Sequence, residues 1–284
     1  MVLDKSEIKF NMKKFYGLDN QQETSLQKLE SSETIRETTF NKDFLYWFIG
    51  FFEGDGSLIV MKESRVFLII TQNELHVLYK IKHFFSRGRV QKHGKCFRYI
   101  VTKKKDVSFF FNDVFIGFYT MRCLNKFSTF LNGKFNLLTT GFLNNAWLSG
   151  FIDAEGCFYI RLVKRRNYKI GYQIRTIFIL DQKLINENVF MLFSNLNKVL
   201  PGRIDHRNNK NYRLIIEHKE SLMKLRTYLS RYPLKTHKKS IQYKHWLRAF
   251  RIKEKKEKTF KDIQKIMKIK SWRYSPPLYE STKI

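Results

Sequence analysis

Tyr46-Trp47-Phe48-Ile49-Gly50-Phe51-Phe52-Glu53-Gly54-Asp55-Gly56 is answered by Ala146-Trp147-Leu148-Ser149-Gly150-Phe151-Ile152-Asp153-Ala154-Glu155-Gly156 at an offset of 100 residues. Both stretches end acid, small, acid, Gly, and both space small residues four apart: Gly50 and Gly54 in one, Gly150 and Ala154 in the other. Residues at that spacing share a helix face, and small ones let two helix backbones approach closely. The stretches are therefore expected to form two buried helices packed on each other. Asp55 and Glu155 then fall at equivalent helix C-termini, each before a glycine of the kind that ends helices. Glu53 and Asp153, about 200° around the helix from them, are expected to point elsewhere, as capping or packing-edge groups.

The duplication continues downstream. Phe67-Leu68-Ile69-Ile70-Thr71-Gln72 and Ile177-Phe178-Ile179-Leu180-Asp181-Gln182 are both β-rich runs ending in Gln before a helical pattern. Gly88-Arg89-Val90 and Gly202-Arg203-Ile204 each open a second strand pair, and Lys105-Asp106 and Lys219-Glu220 each precede an apolar helical run. The half-unit reads as helix, hairpin, helix, hairpin, helix, and its repetition implies a pseudo-two-fold molecule. The expected fold is α+β, with two αββαββα repeats, antiparallel sheets and the motif helices at the central interface. Residues 1–40 read as a polar extension, 41–130 as the first half, 131–145 as a linker, 146–250 as the second half and 251–284 as a basic C-terminal segment. Arg251 to Lys270 is helix-compatible, either as a solvated face or as a phosphate-contacting one.

Composition narrows the partners. With 43% hydrophobic residues, 27 Phe, 14 Tyr and 4 Trp in 284 residues, the chain can bury a substantial core. Lys and Arg number 54 against 25 acids, a net charge of +29 spread along the whole length. Nucleic acid suits that charge, because neutralising many phosphates releases counterions. No run of about 18 apolar residues argues for a membrane span, and no cleavable leader is expected. Cys96, Cys123 and Cys157 are scattered, without a Cys-x-x-Cys pair for zinc or redox chemistry, which points to a reducing compartment. The Lys, Asn, Ile and Phe bias with only 4 Pro is what AT-rich coding DNA would produce, as found in many organelle genomes.

Two carboxylates at neighbouring helix C-termini repel each other and the helix dipoles, and divalent cations would relieve that repulsion. Hard oxygen ligands select Mg²⁺, which keeps open positions for water and phosphate oxygens, the arrangement phosphodiester hydrolysis needs. As single residues, Asp55 and Glu155 would be ordinary helix-ending acids; their repetition in an otherwise diverged duplication favours function.

On these residues, Phe48 to Gly56 and Leu148 to Gly156 resemble two copies of the nine-residue signature of the LAGLIDADG homing endonucleases, a resemblance that covers about residues 42 to 250. It implies sheets forming a DNA-binding saddle, with metal-binding carboxylates at Asp55 and Glu155 and backbone contacts to metal at Gly54 and Ala154. It also implies polar strand-end residues at Gln72 and Gln182 that orient the attacking water, although either can be an ordinary strand end. The family's basic residue beyond the last strand falls on Lys238, in Tyr232-Pro233-Leu234-Lys235-Thr236-His237-Lys238-Lys239. The first half departs here: Phe118-Tyr119-Thr120-Met121-Arg122-Cys123-Leu124-Asn125-Lys126 lacks Pro-Leu, leaving Lys126 as the counterpart. Such an asymmetric site would cut the two strands at different rates, or only one. The resemblance implies a monomer acting on a long pseudo-symmetric double-stranded DNA site, with Mg²⁺ and Mn²⁺ able to substitute. It further implies mobility of a host intron within an organelle, mitochondrion before chloroplast.

Strands of about 8 to 10 residues would turn one face to the helices and the other to the major groove. The candidate DNA-contacting residues are Arg65, Arg89, Gln91 and Arg98 in the first half, and Arg161, Gln173, Arg175, Arg203, Asp205 and Arg207 in the second. Any of them can instead contact phosphate or solvent. Two rival readings share the fold: an intron-RNA-binding splicing maturase with decayed cleavage, and a DNA-binding regulator without chemistry. The seven His residues form no His-Asn-His cluster, and His237 and His245 lie too far apart for one helix turn, so they read as surface or core residues.

Overall fold

The computed structural model describes residues 42–61, 65–115, 141–183, 188–207 and 211–271. In the first half, α1 (Lys42–Asp55) leads into the hairpin of β1 (Gly56–Val60) and β2 (Val66–Gln72), then helix α2 (Leu75–Phe85). A second hairpin, β3 (Arg89–His93) and β4 (Cys96–Val101), precedes α3 (Lys104–Phe109), which widens into a π-helical turn at Phe110–Val114. The second half repeats the order with α4 (Trp147–Glu155), β5 (Gly156–Lys164), β6 (Tyr172–Lys183), α5 (Asn188–Val199), β7 (Arg203–Arg207), β8 (Asn211–Ile216) and α6 (Lys219–Arg231). Two helices follow, α7 (His237–Lys253) and α8 (Phe260–Ser271). Each half carries one antiparallel four-stranded sheet, ordered β1-β2-β4-β3 and β5-β6-β8-β7. This is the α+β duplication that the repeat predicts.

Helices α1 and α4 meet backbone to backbone. A Cβ built on Gly50 would lie 1.9 Å from the Trp147 carbonyl oxygen, and one on Gly150 would lie 1.8 Å from the Trp47 carbonyl oxygen. One turn further on, a Cβ on Gly54 would lie 2.2 Å from that of Ala154. The reciprocity is that of a two-fold axis. The tryptophans obey it too, Trp47 stacking on Phe51 with centroids 4.8 Å apart and Trp147 on Phe151 at 5.1 Å. All four aromatics are fully buried, in one core that runs through both halves.

Gly56 and Gly156 differ from expectation in their reason for being glycine. Gly156 sits at φ −71° and ψ 148°, ordinary extended backbone, so no left-handed cap is formed. A Cβ there would lie 2.8 Å from the Ile152 carbonyl oxygen, and one on Gly56 would lie 2.3 Å from that of Phe52. Each glycine therefore lets its strand leave the helix end at once, which keeps the preceding carboxylate at the junction.

Strand alternation sorts the faces. Leu68, Ile70, Phe178 and Leu180 turn inward and are 2% exposed or less. Strand length departs from the expected 8 to 10 residues: β1 has 5 and β2 has 7, whereas β5 has 9 and β6 has 12. In the first half the chain turns earlier, with Met61 donating to the Arg65 carbonyl at 2.8 Å. The division placed at residue 250 falls inside α7, whose Trp246 and Phe250 are core residues. Helix α8 is docked rather than free, with Ile263 and Ile266 fully buried. No described helix is long and apolar enough to cross a membrane.

Because any side chain at Gly50 must push two backbones apart, Gly50→Val is expected to cost about 3 kcal/mol or more. Equilibrium urea unfolding measures it; a variant as stable as the parent chain would refute backbone contact between α1 and α4.

Candidate metal centre and nucleic-acid interface

Asp55 closes α1 and Glu155 closes α4, both half-buried. A Cβ on Gly54, the residue before Asp55, would lie 3.1 Å from Glu155 Cγ, so the acid-bearing ends adjoin. Gln72 ends β2 and Gln182 lies near the end of β6, and both have the inward parity of their strands. Gln72 Nε2 donates to Asp55 Oδ2. Gln182 is 2% exposed, and its Oε1 is buried without a hydrogen-bond partner among the described residues. A water molecule would satisfy that oxygen.

The basic residue near this junction is not the expected one. The Lys238 side chain is exposed, whereas Lys239 is half-buried and its Nζ donates to the Gly156 carbonyl oxygen. Burial pushes the Lys239 ammonium below its usual range, against the opposing pull of Cys157, Asp153 and Asp55. Consecutive helical residues diverge by about 100°, so a shift of one position moves a side chain from solvent to the site. Lys126 lies outside the described residues.

The outward faces collect the expected DNA-contacting positions. Arg98 pairs in register with Gln91 on one side and Thr71 on the other, and Arg89 shares the parity of Gln91 along β3. Arg65, exposed, lies just ahead of β2. In the second sheet Arg161 faces Arg175, and Gln173, Arg203 and Asp205 share the same parity, as does the register position of Arg207. Several are already engaged, Arg203 with Asp205 at 2.8 Å and Arg175 with Glu217. Arg213 was not anticipated. It stands opposite Asp181 as Arg98 stands opposite Thr71, and it grips that carboxylate through two nitrogens.

Residues 148–250 match the family model described as LAGLIDADG endonuclease. Over those residues the chain is similar to the LAGLIDADG endonucleases. A curated relative, "Probable intron-encoded endonuclease 4" of Neurospora crassa, is 30% identical across 95% of this chain, which spans 52% of that relative's length. The chain thus spans about half of the relative it matches. Among solved structures, the I-SmaMI LAGLIDADG homing endonuclease bound to cleaved DNA superposes with a TM-score of 0.63 at 17% identity, covering 80% of this chain and 95% of that one. The same protein bound to uncleaved DNA in the presence of calcium ions gives 0.63 at 17%, covering 80% and 97%. At such identity these two structures establish a shared fold.

The inner acid of α4 does more than cap a helix. Asp153, 5% exposed, accepts hydrogen bonds from Trp47 Nε1 at 2.8 Å, the Lys235 backbone N–H at 2.7 Å, and the Thr236 N–H and hydroxyl at 3.2 and 2.6 Å. It thereby ties α1 and the start of α7 to α4. A second acid holds the same helix start: Glu74 accepts the backbone N–H groups of His237 at 2.7 Å and Lys238 at 2.9 Å. Lys239 is delivered to Gly156 by this anchored end. Nothing local marks Glu74 or Asp153 as partners of this helix start, so the choice of lysine was not legible along the chain.

Burial raises the Asp153 carboxyl from 3.8 to about 6, despite four donors that favour its charge. The unfolded chain ionises first, so this group withdraws stability as pH rises from about 4 to about 6, and its effect then levels off. Melting temperature against pH is expected to carry that decline in the parent chain and to lose it in Asp153→Asn; an unchanged slope would exclude Asp153 as its source.

Proposed function

We propose that this chain is a divalent-metal-dependent endonuclease that cuts double-stranded DNA. The observation that carries the reading is the adjoining of Asp55 and Glu155 at the crossing of α1 and α4, beneath two outward faces rich in Arg. The donor set fits Mg²⁺: carboxylate oxygens with the carbonyls of Gly54 and Ala154 as candidate backbone ligands, and Mn²⁺ is the expected substitute. Such an ion, when bound, would supply charge to the scissile phosphate and acidify water.

The chain's own groups account for the rest. Gln72 fixes the Asp55 carboxylate through its amide, and the unpartnered Oε1 of Gln182 is suited to hold a water. Lys239 brings a cation to the carboxylate junction, where it would offset charge on phosphate oxygens. Lys238, exposed one residue earlier, is the proposed backbone-phosphate contact, and Lys126 remains the candidate in the first half. Arg65, Arg89, Gln91, Arg98, Arg161, Gln173, Arg175, Arg203, Asp205 and Arg207 are the proposed DNA-contacting set, joined by Arg213.

Both carboxylates come from one chain, which supports a monomer acting on two strands. The names of the relatives favour cleavage over binding of intron RNA, and they support mobility of a host intron as the role. Together with the AT-rich composition they support an organelle as the compartment, mitochondrion before chloroplast.

The purified full chain, given a randomised double-stranded DNA library with Mg²⁺, is expected to yield one long cut site. Asp55→Asn and Glu155→Gln should each lower the cutting rate about 100-fold or more, the scale of a lost transition-state contact, while DNA binding in Ca²⁺ persists. Binding without cutting under any divalent ion would reject the endonuclease reading.

A further inference from the structure

Away from the paired carboxylates, the starts of α2 and α7 bring together Glu74, His76 and His237, one donor atom of each lying within 4.8 Å of the others. The two imidazoles stack with centroids 3.8 Å apart and planes inclined by 20°. His76 Nδ1 stands 3.6 Å from Glu74 Oε2. His76 Nε2 is buried and meets no partner at hydrogen-bond geometry among the described residues, although the Lys235 backbone lies near enough to act on the ring.

The chemistry of this trio differs from that of Asp55 and Glu155. Two imidazoles and a carboxylate are the donors of zinc-type sites, whereas a hydrated Mg²⁺ prefers oxygen alone. Glu74 is already oriented by its bonds from the His237 and Lys238 N–H groups, one on each oxygen, and each oxygen keeps a second lone pair. Fixing a ligand through its other bonds is what makes a metal site precise. His237 is exposed, so its ring can rotate out of the stack to direct a nitrogen at an ion.

We propose that Glu74, His76 and His237 bind one transition-metal dication of the zinc class. The position gives the site a consequence. Glu74 and His76 belong to the first half, just beyond Gln72, and His237 belongs to the second, two residues before Lys239. A bound ion cross-links the strand end that carries Gln72 to the helix that carries Lys239, and so fastens the two halves together. Binding of the ion stands apart from the endonuclease reading; only its effect on the cleavage site rests on that reading.

The test uses the full chain, freed of metal by chelation and held in excess Mg²⁺, titrated with Zn²⁺ by calorimetry and with Co²⁺ by visible absorption. One equivalent is expected to bind and to raise the melting temperature. His237→Ala should weaken uptake by about tenfold or more, while its melting temperature without Zn²⁺ stays that of the parent chain. Glu155→Gln should leave Zn²⁺ uptake intact, so that failure of the endonuclease reading appears as absent DNA cutting and failure of this one as absent Zn²⁺ binding. No uptake above the Mg²⁺ background, equal uptake by parent and His237→Ala chains, or loss of uptake in Glu155→Gln would each overturn the site.

Discussion

Where Gly50 and Gly150 let two helix backbones touch, every other feature of the molecule takes its position. A helix pair separated by ordinary side chains stands about 8–10 Å apart. Removing Cβ atoms at the crossing, and again at Gly54, brings the acid-bearing ends together, and Gly56 and Gly156 make each chain turn into its sheet directly after the acid. The two sheets therefore start from adjoining helix ends. A side chain placed at the crossing would thus disturb the core, the carboxylate pair and the angle between the sheets together.

Acids are scarce in this chain, 25 against 54 basic residues, yet among the described residues Glu53, Glu74, Asp106, Asp153 and Asp262 are buried. Asp153 and Glu74 hold the first turn of α7, and Asp262 caps α8 through Thr259 while Lys255 keeps its carboxyl down at about 2. Burying a carboxylate is costly unless donors surround it. Asp153 meets that condition with four, one from α1 and three from the residues just before α7, which the sequence separates widely. The surplus of positive charge is left to the outer faces, where phosphate can neutralise it. Acids on those faces, Asp181, Asp205 and Glu217, pair with Arg213, Arg203 and Arg175 and so set the direction in which each guanidinium points.

The two halves are not equivalent, and the asymmetry lies around the site. The first hairpin is shorter than the second, Gln72 contacts Asp55 while Gln182 Oε1 meets no partner among the described residues, and Glu74 reaches across to the second half. A duplicated chain relieved of exact symmetry can use one half to support the other. The clamp on α7, built from Glu74 and Asp153 together, is such a case.

Sequence alone determined the duplication, the helix crossing, the carboxylate positions and the parity of the sheet faces. These follow from periodicity and from the absence of Cβ atoms, both of which are local properties written in residue order. Gln72 and Gln182 were legible for the same reason, as repeated strand ends. Tertiary structure alone decided which lysine enters the site, that Asp153 is a hub rather than a cap, that Arg213 completes a row with Asp181, and that His237 meets His76 and Glu74. Each of these depends on the phase of a helix or on a contact between segments up to 163 residues apart. No pattern along the chain encodes such a distance, because packing of the whole core sets it.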